Sequence, residues 1–179
     1  YNGKELLHNC INSIYQNISI ENFEIIVVDN GSKDESVKNI RQLFSDVIII
    51  SNKENVGYSG GCNIGAKNAE GKYLIFLNND TEHSKDWIEK LVSFLDSNPD
   101  TFAAQPKILN IKNKEYFDYA GGAGGFIDHF CFPYIKGRVF NTLEKDNGQY
   151  NKASKIFWSS GAAMIVRADT FNQLNGFDE

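Results

Sequence analysis

The feature of this sequence that most constrains its fold is a repeated alternation of strand-like and helix-like segments over residues 4–98. Apolar runs of strand length, rich in β-branched or aromatic residues, lie at 24–29, 47–51 and 72–77. The segments around them place apolar residues at three- and four-residue spacing, which is typical of amphipathic helices. This alternation predicts an α/β fold with a mainly parallel central sheet and helices on both faces.

The same spacing, together with turn-forming residues, predicts where the helices lie. We expect helices at 4–18, 34–45, 62–69 and 84–98. Two short strands at 102–105 and 107–111 follow, and the pattern then weakens. Residues 116–155 mix aromatic residues with glycines and have no clear period, which predicts long loops or a small meander. A strand-like segment at 156–166 and a short helix at 169–174 complete an irregular rear third.

The composition excludes several classes of protein. Hydrophobic residues make up 41% of the chain and charged residues 23%, which is typical of a globular domain. The net charge of −5 argues against a nucleic-acid partner, because such partners bind basic surfaces. Three cysteines cannot form a fully paired disulfide framework, so we expect a reducing compartment. The longest apolar runs are far shorter than a membrane span.

Acidic and amide side chains follow two of the predicted strands at the point where each strand ends. Asp29 and Asn30 close the first strand, and residues 78–80 close the third. Ligands of parallel sheets bind at this edge, where one carboxylate can accept hydrogen bonds from a base or sugar and another can bind a divalent cation. The alternative is that Asp29 and Asp80 only cap the turns that follow them.

Two further segments are candidates for ligand contact. The glycine-rich residues 57–65 could approach a phosphate, although they lack the Lys-Ser/Thr pair of a P-loop. Asp178 follows a helix stop and could act as a general base, and its alternative is a solvated turn. The histidines, including His83, have no partner at metal-ligand spacing, so we expect ordinary surface or core histidines. The aromatic residues of 116–140 suit a core or a sugar-stacking platform equally.

A series of short motifs extends over nearly the whole chain. They are Tyr1-Asn2-Gly3, residues 7–14, residues 24–34, Asn55-Val56-Gly57, Asn63-Ile64-Gly65, residues 71–80, residues 160–164 and Gly176-Phe177-Asp178-Glu179. In this order the set resembles glycosyltransferase family 2, an inverting family with the GT-A nucleotide-sugar-binding fold. The motifs are most similar to those of bacterial rhamnosyltransferase-like members.

The resemblance implies a role for each matching residue. Asp29 would hydrogen-bond the base or ribose of the donor, and Asp80 would bind a divalent cation, Mg²⁺ or Mn²⁺, that bridges the donor diphosphate. Asn78 stands where the family's Asp-x-Asp motif has its first acid. Asp178 would be the catalytic base. The full set of substrate-binding residues implied is Asp29, Asn30, Asn55, Gly57, Asn63, Asn78 and Gly161.

The resemblance also implies an activity and its partners. A hexosyl- or rhamnosyltransferase would move a sugar from a UDP- or dTDP-sugar to a hydroxyl of a glycan or lipid-linked acceptor in cell-surface polysaccharide synthesis. Such an enzyme would work in the cytoplasm, and peripheral contact with the inner face of the plasma membrane is compatible with it. We expect one catalytic domain over 1–179, shortened at both ends, with a nucleotide-sugar half at 1–105 and an acceptor-side half at 106–179.

Two other functions stay open at this stage. A noncatalytic nucleotide- or carbohydrate-binding module on the same fold would also account for Asn78 in the cation motif. A nucleotidyltransferase would need a glycine- and arginine-rich loop around residues 3–12, where this sequence has Gly3 followed by a regular helix. Transfer or hydrolysis of a nucleotide-sugar separates an enzyme from a binding module.

Overall fold

The structure, a computed structural model, describes residues 1–178 and contains five helices and nine strands within them. The helices are α1 Lys4–Asn17, α2 Ser36–Leu43, α3 Gly57–Lys67, α4 Trp87–Ser97 and α5 Ala168–Gln173. The strands are β1 Ile26–Asp29, β2 Ile48–Ser51, β3 Tyr73–Leu77, β4 Ala103–Ala104, β5 Gly125–Ile127, β6 Pro133–Ile135, β7 Arg138–Val139, β8 Thr142–Leu143 and β9 Ala163–Arg167. None of the helices in this part of the chain is long and apolar enough to span a membrane.

The first strands and helices confirm the predicted parallel pairing. β1 pairs with β2 in parallel, from Ile26 opposite Ile48 to Asp29 opposite Ser51, and α2 forms the crossover between them. Ile11 of α1 and Ile40 of α2 are almost completely buried in one apolar cluster with these strands. Removing this apolar surface from water stabilises the packing of α1 and α2 on the two strands, and it fixes the end of β1.

The second sheet differs from the prediction in its strand direction. β3, β9 and β4 form a three-stranded sheet in that order. The backbone N–H of Asn78 donates to Ala162 O, and that of Ala168 donates to Lys72 O, so β9 runs antiparallel to β3. The α/β class is confirmed, but the sheets are mixed rather than mainly parallel.

Helix α3 begins five residues earlier than predicted, because its glycines are part of the helix rather than of a preceding loop. A Cβ on Gly65 would lie 3.2 Å from Cγ2 of Val28, and one on Gly61 would lie 3.2 Å from Nδ2 of Asn30. These glycines therefore allow the helix to pack closely on β1. The predicted loop over residues 57–61 is therefore wrong, while ligand contact by the glycine-rich residues 57–65 stays a prediction.

Residues 116–155 form loops and two separate two-stranded hairpins rather than one continuous meander. β5 and β6 make one antiparallel hairpin, and β7 and β8 make a second. The expected strand at 107–111 is reduced to a single bridge between Leu109 and Phe117. In the expected strand-like segment at 156–166, Trp158 forms a single bridge with Gly125, and regular pairing begins at Ala163.

The chain divides into two compact units. The first contains Tyr1–Leu74, Asn79–Val92 and the residues from Val166 onward, and its core surrounds Ile11 and Ile40. The second contains Ile75–Asn78 and Ser93–Ile165, with Phe117 fully buried within it. The division of function at residue 105 stays a prediction.

Candidate functional site

Asp29 occupies the end of β1, and its carboxylate stabilises the turn that follows. The side chain is buried, and both carboxylate oxygens lie within hydrogen-bond distance of the Ser32 backbone N–H, at 3.1 and 3.2 Å. This is the capping role that was the alternative to ligand binding. A carboxylate has about four acceptor positions, so one donor leaves capacity for a ligand.

The acidic turn continues to the start of α2. Both the hydroxyl and the backbone N–H of Ser36 donate to Asp34 Oδ1. The Ser36 hydroxyl bond lowers the pKa of the Asp34 carboxyl below its ordinary value. A carboxylate at this position also satisfies an unpaired N–H in the first turn of the helix.

Residues 2–4 contact both acidic turns. The Asn2 N–H donates to Ser32 Oγ at 2.9 Å, and Lys33 N–H donates back to Asn2 Oδ1 at 2.9 Å. Gly3 lies against the other turn, since a Cβ there would be 2.4 Å from Nδ2 of Asn79. β1, which ends at Asp29, and β3, which precedes the Asp80 turn, belong to separate hydrogen-bonded sheets, and this short segment contacts the turns that follow both strands. Asn2 and Gly3 belong to one of the sequence motifs, but the motif did not predict these contacts.

Asn30, Asn55 and Gly57 form the link between β1 and α3. Asn30 Nδ2 donates to Gly57 O at 3.0 Å, while Asn30 Oδ1 accepts from Asn52 Nδ2 at 2.9 Å. Asn55 Oδ1 accepts the Gly57 N–H at 2.9 Å and so completes the start of the helix. Gly57 has φ +77°, a conformation that favours glycine. The structure therefore brings these predicted residues together near the end of β1.

Asp80 lies in the turn after β3, and its side chain is exposed. No group of three or more His, Cys, Asp or Glu residues within 1–178 is placed to hold a metal ion by itself. The available protein ligand of Asp80 is a hard carboxylate oxygen, the type that Mg²⁺ and Mn²⁺ prefer. This donor set suits an ion that also takes oxygens from a bound phosphate and from water.

Asn63 is buried and holds the C-terminal motif. Its Nδ2 donates to Phe177 O at 2.9 Å, and its Oδ1 accepts the Phe177 N–H at 2.9 Å. Gly176 has φ +83°, and a Cβ there would lie 2.4 Å from Asn63 Oδ1. The amide of Asn63 thus fixes the peptide groups directly before Asp178, whose side chain is exposed. Glu179, the last residue of the motif, lies outside the described residues.

Gly161 and Asn78 are connected within the second unit. Gly161 lies in a turn in which Ser160 Oγ accepts the Ala162 N–H at 3.2 Å, and Ala162 O accepts the Asn78 N–H at 3.0 Å. Gln105 Oε1 accepts the Ser160 N–H at 2.7 Å and supports this turn. Sequence reasoning missed Gln105, because no local pattern links it to a residue 55 positions away.

The aromatic residues of 116–140 differ in their burial. Phe117 is fully buried and belongs to the core. Tyr119, Phe130, Phe132 and Tyr134 are each about half exposed or more, at 52%, 70%, 68% and 49%. These four exposed rings do not belong to the buried core, and sugar stacking remains a prediction for them.

Comparison with known proteins agrees with these features. A family model described as glycosyl transferase family 2 matches residues 1–170. An uncharacterized glycosyltransferase of Haemophilus influenzae is 37% identical over 114 residues, which are 62% of this chain and 35% of the relative. The minor teichoic acid biosynthesis protein GgaB of Bacillus subtilis is 35% identical over 82% of this chain and 18% of its own length. The chain therefore spans well under half of these relatives.

Solved structures share the fold. The crystal structure of GalNAc-T7 with UDP, GalNAc and Mn²⁺ superposes with a TM-score of 0.74 at 20% sequence identity, covering 98% of this chain and 35% of the other. This similarity extends over both compact units and confirms the predicted GT-A fold.

Proposed function

The chain belongs to glycosyl transferase family 2, and we propose that it transfers a sugar, with inversion, from a nucleoside-diphosphate-sugar to an acceptor hydroxyl. The observation that carries the proposal is the contact of residues 2–4 with both the Asp29 turn and the Asp80 turn. A nucleotide-sugar has a base and ribose at one end and a diphosphate at the other. Two acidic turns at one place match that arrangement.

Asp29 and its neighbours are proposed to bind the nucleoside. The rigid turn holds the Asp29 carboxylate at the end of β1, where it can accept hydrogen bonds from a ribose hydroxyl or a base N–H. Asn30, Asn55 and Gly57 shape the adjacent wall through the bonds that they make to one another. UDP and dTDP are the nucleotides we favour for this site.

Asp80 is proposed to hold a divalent cation. When bound, such an ion neutralises the diphosphate and stabilises it as a leaving group. The exposed carboxylate of Asp80 supplies one hard oxygen, and the neutral amide of Asn78 stands where the family has a second acid. The Mn²⁺ in the structure of GalNAc-T7 with UDP supports an ion of this type.

Asp178 is proposed as the general base. An exposed carboxylate after a fixed backbone can accept the proton of an acceptor hydroxyl while that oxygen attacks the anomeric carbon of the donor sugar. The carbon–oxygen bond to the diphosphate breaks as the new glycosidic bond forms, which inverts the anomeric configuration. Asn63 contributes by holding Phe177 and therefore the backbone that carries Asp178.

The substrates are proposed from the relatives. GgaB is named for minor teichoic acid biosynthesis, and this favours a role in cell-surface polysaccharide synthesis with a glycan or lipid-linked acceptor. Gly161 and its turn are proposed for the acceptor side. A hexose or rhamnose is the favoured sugar, and the cytoplasm, at or near the inner face of the membrane, is the favoured location.

A noncatalytic binding module is the second candidate, and Asn78 is the observation that favours it. Hydrolysis or transfer of UDP- and dTDP-sugars, followed as release of the nucleoside diphosphate with Mn²⁺ present, tests the two against each other. We expect turnover by the wild type, none by Asp80→Ala, and retained nucleotide binding with a rate lowered about 10²-fold or more by Asp178→Asn. Asp169→Asn, an exposed acid in α5, is the matched control. Nucleotide binding without turnover would favour the module.

A further inference from the structure

A chain of hydrogen bonds lies directly behind the Asp80 turn, within the first compact unit. Thr81, the next residue after Asp80, has its Oγ1 3.5 Å from Sγ of Cys10 and 3.2 Å from Nε2 of His83. Nδ1 of His83 lies 2.7 Å from Oγ of Ser13 in α1. The chain therefore connects the turn to a helix that is fixed in the core.

The direction of each bond follows from the donors available. The Ser13 hydroxyl donates to Cys10 O at 3.0 Å, so its oxygen accepts from His83 and Nδ1 carries the proton. Nε2 is then free to accept the Thr81 hydroxyl proton. Burial lowers the pKa of His83 from 6.5 to about 4, which agrees with a neutral ring. The ring also stacks on Trp87 of α4, with 4.6 Å between centroids and 15° between planes.

Asp80 thus has a fixed neighbour on each side. Asn79 lies against Gly3 at the start of α1, and Thr81 is held by Cys10 and His83. Asp80 itself is exposed, so its own contacts do little to define its position.

We propose that His83 is a positioning residue for the Asp80 carboxylate: through Thr81 and Ser13 it fixes the turn in the conformation that binds the cation and the donor diphosphate. This inference rests on the proposed function of Asp80. A metal-binding carboxylate that the protein already holds in position loses less conformational freedom when the cation binds. The complex of cation and nucleotide therefore binds more tightly.

The test measures binding of UDP or dTDP in the presence of Mn²⁺, with the thermal midpoint of unfolding recorded for every variant. His83→Phe keeps a ring to stack on Trp87 but removes both nitrogens, and we expect it to weaken nucleotide binding with Mn²⁺ about tenfold. Binding of the nucleotide without Mn²⁺ should be nearly unchanged, a difference that a general loss of stability would not produce. His8→Phe is the matched control, since His8 lies in α1, the helix that carries Ser13, but contacts Asn9 and Phe44.

Substitutions of Thr81 and Ser13, the two hydrogen-bond partners of His83, test the same inference if His83→Phe folds poorly. Thr81→Val removes the hydroxyl at nearly constant shape and should weaken Mn²⁺-dependent binding, whereas Thr81→Ser should restore it. Ser13→Ala should act in the same direction. The inference would be overturned if the wild type, His83→Phe and Thr81→Val bound the nucleotide with equal Mn²⁺-dependent affinity. If Asp80→Ala abolished binding in the same experiment, the proposed function of Asp80 would still stand. If the wild type itself shows no Mn²⁺-dependent nucleotide binding, the proposed function is overturned as well.

Discussion

At the residue scale, the polar side chains of the proposed site fall into two groups. Asn30 and Asn63 use both amide atoms for bonds within the protein. Asp80 and Asp178 are exposed and lie directly after segments that other residues hold in place. The amides therefore determine where the loops lie, and the carboxylates are available to a ligand.

Asn63→Ala should destabilise the protein, because it removes two hydrogen bonds that a buried side chain makes to the Phe177 backbone. We expect the free energy of unfolding to fall by about 2–3 kcal/mol, measured by urea denaturation. Asn68→Ala removes one bond of an exposed amide in the same region and should cost less than about 0.5 kcal/mol. Equal losses in the two variants would contradict the assigned role of Asn63.

The residue types at the strand ends were predictable from the sequence, but their partners were not. Asp29 and Asp80 stand out because each follows an apolar run of strand length. The bonds of Asn63 to Phe177, 114 residues away, leave no local signal. His83 was expected to be an ordinary histidine, and its position behind the Asp80 turn depends on the packing of α1 against the start of α4.

At the element scale, periodicity predicted the first part of the fold because that part is built from local signals. β1, α2 and β2 lie within two or three residues of their predicted positions. The rear part depends on nonlocal contacts, since β9 pairs beside β3 across nearly a hundred residues and the two hairpins have only two- or three-residue strands. Such short strands carry too few residues for an alternating pattern to show.

Gly122→Ala should disrupt the second unit more than an ordinary glycine substitution does. Gly122 has φ +42°, and a Cβ there would lie 2.2 Å from Lys136 O and 2.7 Å from Cγ2 of Ile135. We expect a loss of about 3 kcal/mol or more in the free energy of unfolding.

Gly148→Ala provides the control for the backbone effect alone. Gly148 also has a positive φ, +84°, but its nearest neighbour is the flexible end of Asn151 at 3.0 Å. This variant should lose only about 1 kcal/mol in the same urea titration. A loss as large as that of Gly122→Ala would show that crowding against Lys136 and Ile135 is not the cause.

At the scale of the whole molecule, stability should depend on the charge state of His83. The folded protein protonates this ring only near pH 4, whereas the unfolded chain protonates it near 6.5. Burial is the main cause of the lowered pKa, and the nearby charge of Glu82 opposes it weakly. Acidification from pH 6.5 to 4 therefore favours the unfolded state.

We expect the free energy of unfolding of the wild type to fall over this range more steeply than that of His83→Phe. Urea denaturation of both proteins at half-unit pH steps measures the difference. The carboxylates titrate in both proteins, so the difference between the two curves reports the titration of His83. Parallel curves would contradict a neutral, partly buried ring.

The central claim for the whole molecule is that the Asp29 and Asp80 turns form one nucleotide site that uses a divalent cation. Isothermal titration of the purified protein with UDP, dTDP and GDP, each with and without Mn²⁺, tests it most directly. We expect UDP or dTDP to bind and Mn²⁺ to strengthen the binding. Asp80→Ala should remove the Mn²⁺ effect, while the surface control Asp100→Ala should keep it. Absence of binding by all three nucleotides, or an Asp80→Ala protein that binds as the wild type does with Mn²⁺, would contradict it.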